Sequence, residues 1–232
     1  MSLYIVQMMI KHDGCWSEVT NSLEGTTIVD LNLSVNPAQK ITNASVMLNV
    51  PKHADLPTLK HFITYGKSER SVKKIVDLSN ARNHSLSFVN FVGVYEGTIA
   101  AVLYEEGSPF FRYFFENGKE NWTFTVYSNR QLDAIKERLA GMATIYTLYA
   151  EKVSDTSVAK IAGWESEHLL KAYMTGIQWR TLLSAYNNGY YETPRKTTTS
   201  GISEILHLSP STVNSYLRHI EKKIMEMILR NH

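Results

Sequence analysis

The chain has 232 residues, 44% apolar and 20% charged, which is ordinary for a folded protein of one large domain or two to three small ones. Its net charge of +2 carries no gross nucleic-acid signature. The single cysteine, Cys15, excludes an intrachain disulfide and points to a reducing compartment, and no run of about 18 apolar residues is present to form a helical membrane span. The opening MSLYIVQMMIKHDG lacks a basic leader and reads as a strand, so a cytoplasmic location without membrane partners is expected.

Residues 3–11 are apolar on both faces, as a central strand requires. Gly14 breaks that run, and Cys15, Trp16, Val19 and Leu23 then follow at helical spacing up to Gly25. Residues 26–35 alternate as a strand, Asn36-Pro37 marks a turn, and 43–50 reads as another strand. Asp55 can cap a helix through Leu59, Phe62 and Ile63, stopped by Gly66, and 71–79 supplies a fourth strand. The order then recurs. Residues 84–92 form a strand, and Gly93 opens a helical pattern through Ile99, Val102 and Leu103. PFFRYFFEN and NWTFTVYS are aromatic strands joined across Asn117-Gly118, a strong hairpin signal. Ser128 and Gln131 read as a capping box for a helix with Leu132, Ile135 and Leu139 inward, and ATIYTLYAEK closes the unit.

The expected fold is therefore α+β, with two tandem ferredoxin-like (ACT-like) βαββαβ units at 1–80 and 81–152. A linker and bridging helix are expected over 153–174, and an all-α helix-turn-helix domain over 175–232. Gly14-Cys15-Trp16 and Gly93-Val94-Tyr95 both sit at a strand-to-helix junction, and the repeat rests on element order more than on identity. The aromatic residues Phe110, Phe111, Tyr113, Phe114, Phe115, Trp122, Phe124 and Tyr127 are read as core and dimer surface.

From Gly176 onward seven Lys/Arg stand against four Asp/Glu, a local +3 that leaves −1 for the remainder. Thr175 and Gln178 make a capping box, with Met174 and Trp179 as its hydrophobic staple, and Trp179, Leu182, Leu183 and Tyr186 are expected to face inward. Pro194 favours an extended connector over 192–196. Thr198 or Thr199 can cap the next helix, whose Ile202, Ile205 and Leu206 would pack under the third. Ser209 caps that third helix with Pro210 at its first position. Val213, Leu217, Ile220 and Ile224 recur on one face of it. The opposite face carries Ser211, Asn214, Ser215, Arg218 and Lys222, with no carboxylate before Glu221. A helix entering a major groove needs such a face, since base edges offer donors and acceptors and phosphates repel acids.

The residues Gln178, Leu182, Ala185-Tyr186, Gly189-Tyr190-Tyr191 and Pro194-Arg195, followed by Thr198, Ser209, Thr212-Val213, Leu217-Arg218 and Glu221-Lys222-Lys223, carry a family resemblance. Over about fifty residues this stretch resembles the bacterio-opsin activator (Bat) type of helix-turn-helix, an archaeal transcription-regulator domain. The family usually has alanine where Ser203 stands and glycine where His207 stands, so His207 implies a slightly different turn. The resemblance implies a double-stranded DNA partner. Ser211, Thr212, Asn214, Ser215 and Arg218 are the candidates for the groove, and Arg195, Lys196, Thr198 and Lys222 for phosphates.

Elsewhere, Gly14, Cys15, Trp16, Gly93 and Tyr95 are candidate effector-binding residues. In ACT-like domains a junction glycine lets a small effector approach, and helix N-terminal N–H groups can take its carboxylate. His12 and Cys15 are three apart and could supply two ligands to a soft metal or form a sensing thiol. His53, His61 and His84 join them only if the fold converges, and a buried cysteine beside a strand-end histidine is the favoured reading. No cofactor is expected. No phosphate loop, nucleophile elbow or paired acidic motif is present, so no enzyme is expected. The function expected is a sequence-specific, homodimeric, effector-responsive transcription regulator. The alternative is a small-molecule or protein-interaction module that contacts the transcription machinery without reading DNA.

Overall fold

A computed structural model of the chain describes residues 2–12, 14–22, 26–50, 72–80, 86–155, 157, 166, 167, 170, 171 and 173–229. The chain divides into two compact units, Met1–Glu165 and Ser166–His232. No helix among the described residues is long and apolar enough to cross a membrane. The helix expected over 55–66, together with His53, His61 and His84, lies outside the described residues, as does most of the expected linker and bridging helix over 153–174.

The first unit is built on one eight-stranded antiparallel sheet. Its strands are β1 (Tyr4–His12), β2 (Thr27–Asn36), β3 (Ile41–Asn49), β4 (Val72–Asn80), β5 (Leu86–Val94), β6 (Phe111–Glu116), β7 (Lys119–Val126) and β8 (Ala143–Lys152). A single 3₁₀ turn, Trp16–Glu18, runs into α1 (Val19–Ser22), and α2 (Ile99–Glu105) and α3 (Asn129–Ala140) complete the described helices of this unit. Alternation supplies the reason for most of these strands. In β1, Val6, Met8 and Ile10 point to the core; in β7, Trp122, Phe124 and Val126 do so from the facing register.

The strand order is β4-β5-β3-β2-β6-β7-β1-β8. Consecutive reading would pair β1 with β3 and β4, and β5 with β7 and β8. The pairing is the other way about. β1 lies between β7 and β8, and β5 lies between β3 and β4. The first strand of each sequence segment thus completes the strands of the other segment. The two sets join where β2 meets β6 over Thr27–Val29 and Phe114–Glu116.

Local signals survive this rearrangement. Asn117 and Gly118 both take positive φ, 53° and 66°, as the hairpin turn demands. The turn also docks on α1: Gly118 N–H donates to Thr20 Oγ1 at 2.8 Å, and a Cβ at Gly118 would come within 2.9 Å of Asn21 Cβ. Gly118→Ala is therefore expected to destabilise this unit by about 2–3 kcal/mol, through left-handed strain and that contact, as read by urea unfolding. The capping box at Ser128 is half formed. Ser128 Oγ accepts from Gln131 N–H at 3.2 Å, but Gln131 Oε1 takes the N–H of Tyr127 instead of that of Ser128.

The aromatic residues divide. Phe111, Tyr113, Phe115, Trp122 and Phe124 join the core, whereas Tyr127 is exposed and Phe114, though buried, is not part of that core cluster. Neighbouring residues of a strand point to opposite faces, so Phe114 lies on the face away from Tyr113 and Phe115.

Candidate nucleic-acid interface and N-terminal cavity

The second unit contains α4 (Gly176–Asn187), α5 (Thr199–Leu206) and α6 (Pro210–Leu229). Each begins on a side-chain cap. Thr175 and Gln178 form the full reciprocal box on α4, Thr198 Oγ1 accepts from Gly201 N–H on α5, and Ser209 Oγ accepts from Thr212 N–H at 3.1 Å on α6. The core is small: Ala185, Tyr190, Ile202, Val213 and Leu217, with Leu206 and Leu208 packed against it.

Two inward faces differ from the periodicity reading. On α4 the buried residues are Thr181 and Ala185, while Leu183 is exposed and Tyr186 is 72% exposed. On α5 Ile202 is buried, but Ile205 is 52% exposed. Tyr190, which follows the end of the helix, joins that core in company with Ala185. Thr181 can sit inward because its Oγ1 donates to the Ile177 carbonyl at 2.8 Å.

The connector between α4 and α5 is compact, not extended. Gly189, at φ 74°, accepts from both Glu192 N–H and Lys196 N–H, and Thr193–Pro194 is cis. The Arg195 guanidinium stacks 4.5 Å above the Tyr190 ring. A buried tyrosine therefore holds an exposed arginine at a defined place.

The turn from α5 to α6 resolves the question posed by His207. It adopts φ 54°, ψ 43°, the left-handed conformation that glycine takes most easily. Leu208 N–H donates to the Ser203 carbonyl at 3.0 Å and His207 N–H to that of Glu204 at 3.3 Å, the double bond pattern of a glycine C-cap. His207 follows the glycine geometry instead of altering it. His207→Gly is expected to raise the unfolding free energy by about 1 kcal/mol in thermal or urea melts.

On α6, Val213, Leu217 and Ile220 are buried and Ile224 is half-buried, while Ser211, Asn214, Ser215, Arg218 and Lys222 are exposed. Spacings of three, one, three and four put those exposed residues on one surface. The Asn214 and Arg218 side chains make no hydrogen bond among the described residues, whereas Ser211 and Thr212 engage the Ser209 hydroxyl at 2.9 and 2.7 Å. Thr212 is accordingly half-buried and serves the cap. His219 also lies on this side, with its Nδ1 2.7 Å from the Ser215 carbonyl. Lys222 is exposed and lies 3.6 Å from Glu226. Its neighbour Lys223 is different: its ammonium donates to the Tyr173 carbonyl and Gln178 Oε1 at 2.7 and 3.0 Å, and burial lowers its pKa. It fastens α6 to the start of α4.

In the first unit a cavity of about 290 Å³ opens where the two strand-to-helix junctions meet. Gly14, Cys15 and Trp16 line it from the first junction; Gly97, Thr98 and Ile99 line it from the second. The two junctions follow β1, which pairs with β7 and β8, and β5, which pairs with β3 and β4. Gly14 at φ 78° precedes the cap residue Cys15, and Gly97 at φ 73° precedes the cap residue Thr98, so these are the matching glycines. Gly93 is not at the junction. It lies within β5, opposite Thr42 and Val72. Tyr95 also lies outside the lining: its hydroxyl donates to Glu105 Oε1 at 2.5 Å, and that bond chiefly raises its pKa to about 12.

The floor of the cavity is aromatic. Trp16 meets Phe91 and Phe115 edge-on at 4.9 and 5.4 Å, and Tyr113 lies 4.6 Å from Phe115 and 5.0 Å from Trp122. Into this lining points Glu120, which is 1% exposed. Its Oε1 accepts from Ser17 Oγ at 3.0 Å, its Oε2 from Trp122 Nε1 at 2.8 Å, and His12 Nδ1 lies 3.8 Å away. Burial, with the Glu120 charge second, pushes the Cys15 thiol well above its ordinary pKa. Glu120 escaped the sequence reading because it lies far from Cys15 in the chain. Only the register that sets it opposite Ile10, two residues before His12, reveals the neighbourhood.

No curated protein matches the chain. Residues 174–226, which span all three helices of the C-terminal unit up to Glu226, match the family model of an HTH DNA binding domain, and the chain carries a helix-turn-helix DNA-binding domain there.

Proposed function

We propose that this chain is a sequence-specific DNA-binding transcription regulator of the bacterio-opsin activator type, homodimeric and cytoplasmic. In this reading its first unit senses an effector and its α6 helices read the major groove. The observation that carries the reading is the exposed face of α6, which presents Asn214, Ser215 and Arg218 with no carboxylate from Ser211 to His219 while the opposite face is buried. Asn and Arg can each pair bidentately with a base edge. Arg195, Lys196, Thr198 and Lys222 then serve phosphates on the flanks. We read the chain as a binding protein, not an enzyme.

We read the sheet as two ferredoxin-like halves with exchanged first strands, β4-β5-β3-β2 and β6-β7-β1-β8, because each half keeps the antiparallel order of that fold. The convergence of both junctions on one cavity supports an effector site there, shared between the halves. A carboxylate effector at Gly14 fits poorly: the Gly14 N–H is already taken by Glu18 Oε1 at 3.0 Å, and Glu120 and Glu96 line the cavity. A cation suits it better.

The test is binding of the full chain to DNA of its own promoter region across a salt series. A regulator of this kind shifts the fragment, and log K falls linearly with log salt, with a slope set by the number of phosphates neutralised. No retardation at low salt would overturn the reading and favour a module that contacts the transcription machinery through protein surfaces.

A further inference from the structure

Among the described residues one group has the composition of a transition-metal site. One ligand atom each from His12, Cys15 and Glu120 lies within 4.8 Å of the other two, and all three residues line the 290 Å³ cavity. We propose that His12, Cys15 and Glu120 bind a divalent metal ion of the zinc type, with its fourth coordination position facing the cavity. This deepens the effector reading above and rests on it only for the regulatory consequence, not for binding itself.

The donor set decides the class of ion. One nitrogen, one sulfur and one oxygen suit a borderline ion of tetrahedral preference, whereas magnesium and calcium would want oxygens alone. The three donors are spaced somewhat more widely than ligation requires. Tetrahedral ligation would draw the donors to about 3.3–3.6 Å from one another, so the 3.8 Å between His12 and Glu120 has about half an ångström to close. No donor pair is more than 4.8 Å apart, so the remaining closure is on the order of one ångström.

The surroundings are arranged as an outer shell. Ser17 and Trp122 each donate to one oxygen of Glu120, holding the carboxylate in one orientation at the cavity wall. Among the described residues no lysine or arginine pairs with this buried carboxylate, and the base beside it is His12, itself a proposed ligand. Binding costs one proton: the Cys15 S–H bond breaks, the sulfur bonds the metal as thiolate, and the proton leaves to solvent. Thiolate and carboxylate together then cancel the charge of the ion, and the buried site becomes neutral. Metal binding would tie the β1 end and the first junction to β7, across the cavity from the second junction.

The experiment is a cobalt titration of the chelator-treated full chain, followed by absorption. Cys15 is the only cysteine, so a thiolate-to-cobalt charge-transfer band has one possible source. The expected result is that band, saturating at one Co²⁺ per chain together with four-coordinate visible absorption, and bleached by Zn²⁺. Cys15→Ser should abolish the band, and His12→Gln and Glu120→Gln should each weaken Co²⁺ binding at least about 10-fold. Circular dichroism verifies that each variant is folded. Should Cys15→Ser fail that check, the two glutamine variants still decide the matter. A wild-type chain that shows no thiolate band, or glutamine variants that bind Co²⁺ as tightly as wild type, would overturn the proposal. The absorption is read on free protein, so loss of cobalt binding leaves the DNA-binding reading standing, and loss of DNA binding leaves the metal site standing.

Discussion

Leu217→Ala is expected to lower the stability of the C-terminal unit by about 3 kcal/mol. Leu217 is 1% exposed and belongs to a core cluster of five buried residues, so its truncation leaves a cavity that few neighbours can collapse to fill. At roughly 0.05–0.15 kcal/mol per residue, a unit spanning Ser166–His232 has only several kcal/mol in all, and the loss is a large part of it. Urea unfolding should show the midpoint of this unit shifted down, and DNA binding should fall with the folded fraction at 37 °C. Two controls sharpen the test. Ile205→Ala and Tyr186→Ala remove residues that helical periodicity alone would bury, yet both side chains are mostly exposed, so each should cost less than about 0.5 kcal/mol. A large loss at either would restore the periodicity reading of α4 and α5.

That contrast marks how far the sequence could be read. Caps were legible because their physics is local: Thr175 with Gln178, Thr198, and Ser209 with Pro210 each satisfy N–H groups within three residues of themselves. The hairpin at Asn117-Gly118 was legible for the same reason. Tyr190 was not, because nothing in the spacing of α4 says that a residue beyond its end will fill the core. Strand existence could be read, but partners could not. The apolar runs at β1 and β5 suit any central position, and only long-range packing decides that each sits among the strands of the other segment. The cavity followed the partners. Cys15 and Trp16 were identified from a short local signature, but the matching glycine is Gly97 and not Gly93, a shift of four residues across an irregular turn. Glu120 joins His12 only through the register of β1 against β7.

Arg218→Ala and Asn214→Ala are each expected to weaken binding to the specific operator by about 1–3 kcal/mol, while binding to unrelated DNA changes far less. Both side chains are exposed on α6 without a hydrogen-bond partner among the described residues, so truncating them leaves the fold intact and removes only what they offer to a base. Arg195→Ala and Lys222→Ala should act differently. A phosphate contact carries no sequence information, so each should weaken specific and unrelated DNA alike and reduce the salt slope by about 1. Arg195 is the more telling of the two, since Tyr190 holds its guanidinium at 4.5 Å above the ring, whereas Lys222 already shares its charge with Glu226. Tyr190→Leu would keep an apolar residue in the core but release the arginine, and a fall in affinity there with Arg195 still present would assign the stacking to positioning. Lys223→Ala supplies the opposite control. Its ammonium ties α6 to the Tyr173 carbonyl and Gln178, so its loss should appear in the melting curve while the salt slope stays unchanged. Equal operator affinity for wild type, Arg218→Ala and Asn214→Ala would remove α6 from the groove, and a salt slope lowered by Lys223→Ala would move the phosphate surface to the other side of the helix.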